Sequence, residues 1–147
     1  MTHMHFVSAH FGGEPPWLHQ ISSKKIDVTS AYYTDRNTAS RHNAMTPRLK
    51  AKIPKMLEWK FVDADWYVWM DSSVRLSNKV DDLAAKILDL AGNNPLCLFK
   101  HTTATSIKEE AERVIKSIKC NHEYLAKRYK GEAIQEQLTH YYGDPNF

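Results

Sequence analysis

Hydrophobic and polar positions change period several times along the chain, and the changes outline alternating strands and helices. The run Trp66-Tyr67-Val68-Trp69-Met70 is apolar without alternation. A strand with one wet face would alternate, so this run predicts a strand buried on both sides. It ends in Asp71, followed by Ser72-Ser73. An acid there lies at the carboxyl end of a central strand, where open α/β sheets place their ligand chemistry. Residues 5–9 read as a short first strand, broken by Phe11-Gly12-Gly13-Glu14-Pro15-Pro16, a loop composition. The glycines either let a ligand approach the backbone closely or make an ordinary turn. Residues 26–33, rich in Val, Thr and Tyr, read as a second strand ending at Thr34-Asp35.

Helices fill the intervals. Thr46-Pro47 marks a helix start, with Thr46 as cap and Pro47 in the first turn, where a missing N–H costs nothing. Leu49, Ile53 and Met56 or Leu57 supply its apolar stripe; Arg48, Lys52 and Lys55 share another face, and Pro54 is expected to kink or interrupt it. After Asp71, Asn78 is expected to cap a helix packed by Val80, Leu83, Ala84, Ile87, Leu88 and Ala91 and closed by Gly92. Residues 96–99 read as a further buried strand. Ser106-Ile107-Lys108-Glu109 matches a capping box, opening a helix with Ile107, Ala111, Val114, Ile115 and Ile118 as its packing stripe. Two shorter helices follow, over residues 122–130 and 132–141. Strand and helix in alternation predict an α/β fold with a mostly parallel sheet and helices on both faces, in one domain without a linker.

Composition adds limits. At 147 residues, 42% hydrophobic and 25% charged, the chain is an ordinary globular sequence that can bury a core. The net charge of +3 comes without an Arg-rich arm or Lys run, so a phosphate-bearing small molecule explains it without nucleic acid. Cys97 and Cys120 lack metal or redox spacing and read as free thiols. Eight histidines, three of them in the first ten residues, lack a helical metal spacing and read as surface or strand-end residues. The amino terminus lacks the order of a secretory signal, and no apolar stretch reaches the roughly 20 residues a membrane span needs. The expectation is a cytoplasmic protein with no membrane span.

Asp71 is the leading chemical candidate. A carboxylate aimed into a crevice is costly unless it meets a cation, a donor or a metal. Mg²⁺ or Mn²⁺ held by one or two carboxylates and a diphosphate would satisfy it, the competing role being an Asp that caps the Ser72-Ser73 turn. Asp63-Ala64-Asp65 is literally a D-x-D, but it precedes the apolar run and so lies at the opposite end from the crevice, as a solvated turn. Glu109 and Glu110 are explained by the helix start. No Walker loop, Gly-x-Ser-x-Gly, zinc spacing or Gly-x-Gly-x-x-Gly is present.

Four ordered motifs carry a resemblance: Tyr32-Tyr33-Thr34-Asp35; Pro47-Arg48-Leu49-Lys50-Ala51-Lys52-Ile53-Pro54; Trp66 through Asp71-Ser72-Ser73; and Phe99-Lys100-His101 with Ser106-Ile107-Lys108-Glu109-Glu110-Ala111-Glu112. Together they resemble a glycosyltransferase-like family formerly described only as a domain of unknown function, to which a GT-A-like (Rossmann-like) nucleotide-sugar fold is ascribed. The Trp-x-Asp strand and the Ser-Ile-x-Glu-Glu-Ala-Glu helix start are its specific parts. The resemblance implies transfer of a sugar from a nucleotide-diphosphate-sugar donor to an unknown acceptor, with Asp71 holding a divalent Mn or Mg ion. It further implies Arg48 and Lys52 facing the diphosphate, Asp35 near the nucleotide, and Ser73 and His101 among the donor-binding residues. Ser73 stands where the family motif has a second acid, and Thr102-Thr103-Ala104-Thr105 replaces a segment with Pro and Arg. Relatives continue past the region resembling Gly143-Asp144-Pro145-Asn146-Phe147, so the expectation is a single GT-A-like domain over residues 1–147 lacking the acceptor-side strands. The alternative is a non-catalytic module binding a nucleotide, sugar or protein on the same fold.

Overall fold

The structure, a computed structural model, describes residues 1–14, 20–38, 46–76, 80–99, 102–120, 122–124, 129 and 132–144. They fall into two compact units, Met1–Cys97 and Leu98–Phe147. In the first, strands β1 (His3–His10), β2 (Asp27–Thr34) and β3 (Trp66–Asp71) form a three-stranded sheet. Helix α1 (Pro47–Leu57), a 3₁₀ turn at Glu58–Lys60 and helix α2 (Leu83–Ala91) complete it. The strand order is β2-β1-β3 and both pairings are parallel, the predicted α/β arrangement.

The central strand is β1, not β3. Met4 and Phe6 on one of its faces are 0% and 1% exposed and pack with Ile26 and with Ala84 of α2. Side chains alternate along a strand, so His3, His5 and Val7 point to the other face, where His5 meets Glu58 just beyond α1. A helix therefore covers each face. β3 instead lies at the sheet edge, with Tyr67 38% exposed. Its aromatics suit a half-wet edge because their polar tips find partners. The Tyr67 hydroxyl donates to the Val62 carbonyl and accepts from the Ala64 N–H, and the Trp69 indole N–H donates to Asp71.

His5 explains why β1 was harder to recognise as the core strand. Only 3% exposed, it has Thr29 Oγ1 2.7 Å from Nδ1 and Glu58 Oε1 3.0 Å from Nε2. Tyr33 donates to Glu58 at 2.8 Å, and its phenol is pushed up to about 12, first by burial and then by that bond and the carboxylate's charge. His3 continues the array, with Nε2 2.7 Å from Thr29 Oγ1 and Nδ1 2.9 Å from the Asp63 carbonyl. The carbonyl can only accept, Thr29 has one proton to give to two imidazole nitrogens, and an ionised Glu58 brings none. All five contacts can be made at once only if the array holds one proton more than two neutral imidazoles and a carboxylate supply.

Local boundaries follow their caps. Thr46 accepts from the Leu49 N–H as predicted, and α1 runs on through a buried Pro54 to Leu57 without interruption. Pro54 withholds only the N–H owed to one carbonyl in the last turns, and the Glu58 N–H already closes on the Pro54 carbonyl. Helix α2 starts at Leu83, later than predicted, because Asp82 is the cap. Its carboxylate accepts from the Ala85 N–H and from Ser23 and Lys24 before β2, and these bonds hold it below the usual carboxylate range. Val80 lies outside the helix, and Asn78 lies outside the described residues. Residues 96–99 are not a strand: Leu96, Leu98 and Phe99 are exposed, and without a ladder partner an extended segment leaves its backbone groups unpaired.

The second unit carries α3 (Ile107–Lys119) and α4 (Ile134–Tyr141), which pack together around buried Val114 and Leu138. Ser106 caps α3 as predicted, but Glu109 turns to the N–H and hydroxyl of Thr105, and Ile107 is exposed instead of packed. Residues 122–130 are mostly outside the described residues. Both cysteines are free, and no described helix is long and apolar enough to cross a membrane.

Truncating Phe6 to alanine should cost about 3–5 kcal/mol, a fully buried aromatic at the sheet centre, and Asp82→Ala clearly less, both read by denaturant unfolding. Glu58→Gln brings an amide N–H to His5 and should stay within about 1 kcal/mol of wild type. Glu58→Leu leaves two buried polar groups unpaired and should cost about 1–3 kcal/mol; equal costs for the two would refute the array.

Candidate functional site

The three parallel strands end together. His10 closes β1 opposite Thr34, and Ala9 lies between Tyr33 of β2 and Asp71 of β3. Helix α1 starts at the same edge and runs back against the strands: Lys50, in its first turn, pairs with Asp35 just after β2, whereas Glu58 past its end reaches His5 near the start of β1. The loops after β1 and β2, the start of α1 and the turn after β3 thus share one rim.

Asp35 is the brace of that rim. One carboxylate oxygen accepts from the Gly12 N–H at 2.7 Å and the other from Lys50 Nζ at 2.9 Å. These hold its carboxyl below the usual value of 3.8, the Gly12 bond first and Lys50 next. Lys50 also lies 5.7 Å from the centroid of the buried Phe11 ring. Gly12 has φ +83°, and a Cβ there would sit 2.7 Å from the Pro47 ring. The glycine is needed both for its left-handed backbone and for the close approach to α1. Asp35 is thus committed to protein partners.

Asp71 is exposed, at the end of an edge strand and not of the central one. Its Oδ1 accepts from Trp69 Nε1 at 2.8 Å, and its carbonyl accepts from the Val74 N–H at 2.9 Å, closing a turn. Ser72 Oγ lies 3.0 Å from His10 Nδ1, and Ser73 is exposed beside it. Arg48 is half-buried and Lys52 exposed. With Lys55 they form one ridge of α1, three and four residues apart. Lys55 Nζ is 5.4 Å from the Trp69 ring centroid, so the ridge starts beside β3, and Lys52 and Arg48 succeed it toward the carboxyl rim. His101 lies outside the described residues.

The D-x-D acids are at the far end. Asp65 accepts from the His3 N–H at 2.8 Å and its own N–H donates to the His3 carbonyl, so Asp63 and Asp65 flank the start of β1. Among the described residues no three His, Cys, Asp or Glu side chains converge. A closed all-protein metal site does not fit the rim. Asp71 with neighbouring hydroxyls does fit a hard hydrated cation that brings phosphate oxygens with it, the way Mg²⁺ is commonly bound.

The structure brings together Asp71, Ser72, Ser73 and His10 on one side of the rim and Asp35, Gly12 and Lys50 on the other. Lys50 and His10 were not singled out from sequence, and Trp69 entered only as part of the Trp-x-Asp motif, without a role of its own. Lys50 falls off the regular Arg48, Lys52, Lys55 ridge, and Trp69 reads as core; only the i, i+2 spacing of Trp69 and Asp71 hints at their contact.

Because Asp35 is held with its folded pKa below the unfolded one, its contribution is complete above pH 3.8 and is lost as pH falls through the folded value. Acid unfolding should therefore be shallower in Asp35→Asn than in wild type, monitored by circular dichroism from pH 5 to pH 2. Gly12→Ala should destabilise at every pH by about 1–3 kcal/mol, from strain at positive φ and the contact with Pro47.

No curated protein and no solved structure matches the chain. A family match runs over residues 38–144, most of the 147 residues, and is described as the TOD1/MUCI70 glycosyltransferase-like domain. It takes in α1, β3, α2, α3 and α4, with Arg48, Lys52, Asp71, Ser73 and His101, and begins after β2 and Asp35. The chain belongs to the TOD1/MUCI70 glycosyltransferase-like family.

Proposed function

We propose that the carboxyl rim binds a nucleotide-diphosphate-sugar donor and that the protein transfers its sugar to an acceptor. The observation that carries the reading is the exposed Asp71 carboxylate at the end of β3, with the Arg48–Lys52–Lys55 ridge of α1 rising toward the same rim. Open α/β sheets bind ligands outside the carboxyl ends of their strands, and a diphosphate needs both a cation bridge and positive side chains. Asp71, with the hydroxyls of Ser72 and Ser73, would hold a Mn²⁺ or Mg²⁺ ion with the diphosphate. Bound there, such an ion neutralises the diphosphate and acts as a Lewis acid as it departs.

The chain's own residues supply the rest. Lys52 and Arg48 face the diphosphate charge, and Lys50 with Asp35 keeps the loops after β1 and β2 in place beside the nucleotide. Ser73 offers a hydroxyl to the donor, and His101 is a donor contact on family resemblance. Asp35 acts through its bonds to Gly12 and Lys50, since both of its oxygens are already engaged. A donor-binding module without turnover is the second reading, favoured by Asp71 standing as a lone carboxylate followed by serines and not by a second acid.

Calorimetric titration with a panel of nucleoside diphosphates, with and without Mn²⁺, tests the proposal. One diphosphate should bind, with Mn²⁺ raising its affinity about tenfold or more, and Asp71→Ala should abolish the Mn²⁺ increment. Lys52→Ala should weaken binding with or without the ion. Absence of binding across the panel would sink it, and binding without sugar release or transfer would favour the second reading.

A further inference from the structure

We infer that Trp69 is a positioning residue that makes Asp71 a one-oxygen ligand and so biases the rim toward small octahedral cations over Ca²⁺. The inference rests on the donor-site reading of Asp71 and adds a residue and a selectivity to it. Trp69 and Asp71 are two apart on β3 and point to the same face, the face on which α1 lies. The indole Nε1 donates to Asp71 Oδ1 at 2.8 Å. Trp69 is itself held: its strand pairs in parallel with β1 at Val7, and Lys55 of α1 stacks its ammonium 5.4 Å from the ring centroid. The main chain of Asp71 is fixed in turn by the Val74 N–H on its carbonyl.

An exposed aspartate at a strand end would otherwise sample several rotamers and offer either or both oxygens. With Oδ1 occupied by the indole N–H, Oδ2 is the oxygen presented. Mg²⁺ and Mn²⁺ sites are satisfied by one carboxylate oxygen with water and phosphate completing an octahedron, whereas Ca²⁺ readily takes a carboxylate through both oxygens in a larger shell. The indole thus does two things: it prepays the ordering of the carboxylate, and, by drawing on one lone pair of Oδ1, it disfavours bidentate coordination. A partner that orients a metal-ligating side chain typically carries about 10–100-fold in metal affinity.

The test uses the full chain, Mn²⁺ and Ca²⁺ separately, and the nucleoside diphosphate that binds the wild type best. Mn²⁺ binding is read by electron paramagnetic resonance, and Ca²⁺-supported nucleotide binding by calorimetry, without any turnover. Trp69→Phe keeps a ring beneath Lys55 but has no N–H; replacement of Trp69 by 3-benzothienylalanine keeps the full indole shape and deletes only the N–H. Both should lower Mn²⁺ affinity about tenfold or more and lower Ca²⁺-supported binding less, so that the Mn²⁺ to Ca²⁺ preference shrinks, with the unfolding midpoint of the benzothienyl protein near that of wild type. Undiminished Mn²⁺ affinity and an unchanged Mn²⁺ to Ca²⁺ ratio in the benzothienyl protein overturn this inference alone. Absence of metal-dependent nucleotide binding in the wild type overturns it together with the donor-site reading.

Discussion

Strand β1 is hydrogen-bonded on both sides, by β2 and by β3, and that double pairing governs the rest of the first unit. A strand paired on both edges can bury either face only if each is covered, and every polar side chain on it then needs a partner. On one face Met4 and Phe6 meet the requirement with Ala84 and its neighbours on α2. On the other, His5 is buried and polar, and Glu58 answers it from the turn that ends α1. The bond ties the far end of α1 to the start of the sheet. With the other end fixed by Lys50 on Asp35, α1 is pinned at both termini along the sheet face.

The two ends of the sheet consequently differ in chemistry. At the amino end Asp63, Asp65, His3, Thr29 and Glu58 are tied to one another and to the backbone. At the carboxyl end the acids divide. Asp35 is consumed as a brace, and Asp71 keeps an exposed carboxylate whose one oxygen is held by an indole. Burial and pairing, rather than the count of acids, decide which carboxylate has coordination capacity left. A literal D-x-D can be bound up in the sheet start while a lone aspartate elsewhere stays exposed.

Much of the fold was legible in the residue pattern. The three strands, their parallel alternation and the Thr46 and Ser106 caps follow from periodicity and capping rules that act within a few residues. What was not legible depended on contacts far apart in sequence. The central strand looked peripheral because its histidines read as wet, and the partners that let His5 be buried, Thr29 and Glu58, lie 24 and 53 residues away. The edge strand looked central because aromatic residues count as apolar even when their N–H and O–H groups face outward to local partners. The start of α2 slipped because Asp82 gains bonds from Ser23 and Lys24, which no helix rule weighs. Residues 96–99 had a strand's composition, and composition does not supply a ladder. At the rim, Asp71 was marked by its position, but Lys50 and Gly12 acquire their roles only when α1 folds back on the loop after β1.

The family match begins at residue 38, after β1 and β2. Four of the residues proposed to meet the donor, Arg48, Lys52, Asp71 and Ser73, lie inside it, on α1, on β3 and in the turn after β3. Of these, α1 and β3 are not held to each other by a strand ladder: β3 is paired to β1, and α1 is pinned to β1 and β2 by Glu58 and Lys50. The distance between the cationic ridge and the carboxylate is therefore set in large part by strands outside the matched stretch, with the contact of Lys55 with Trp69 linking α1 to β3 directly. A change in β1 that left every matched residue intact would still move charge relative to charge at the rim. The stretch that carries the proposed donor residues and the strands that position them are different parts of the sequence, and β1 joins them.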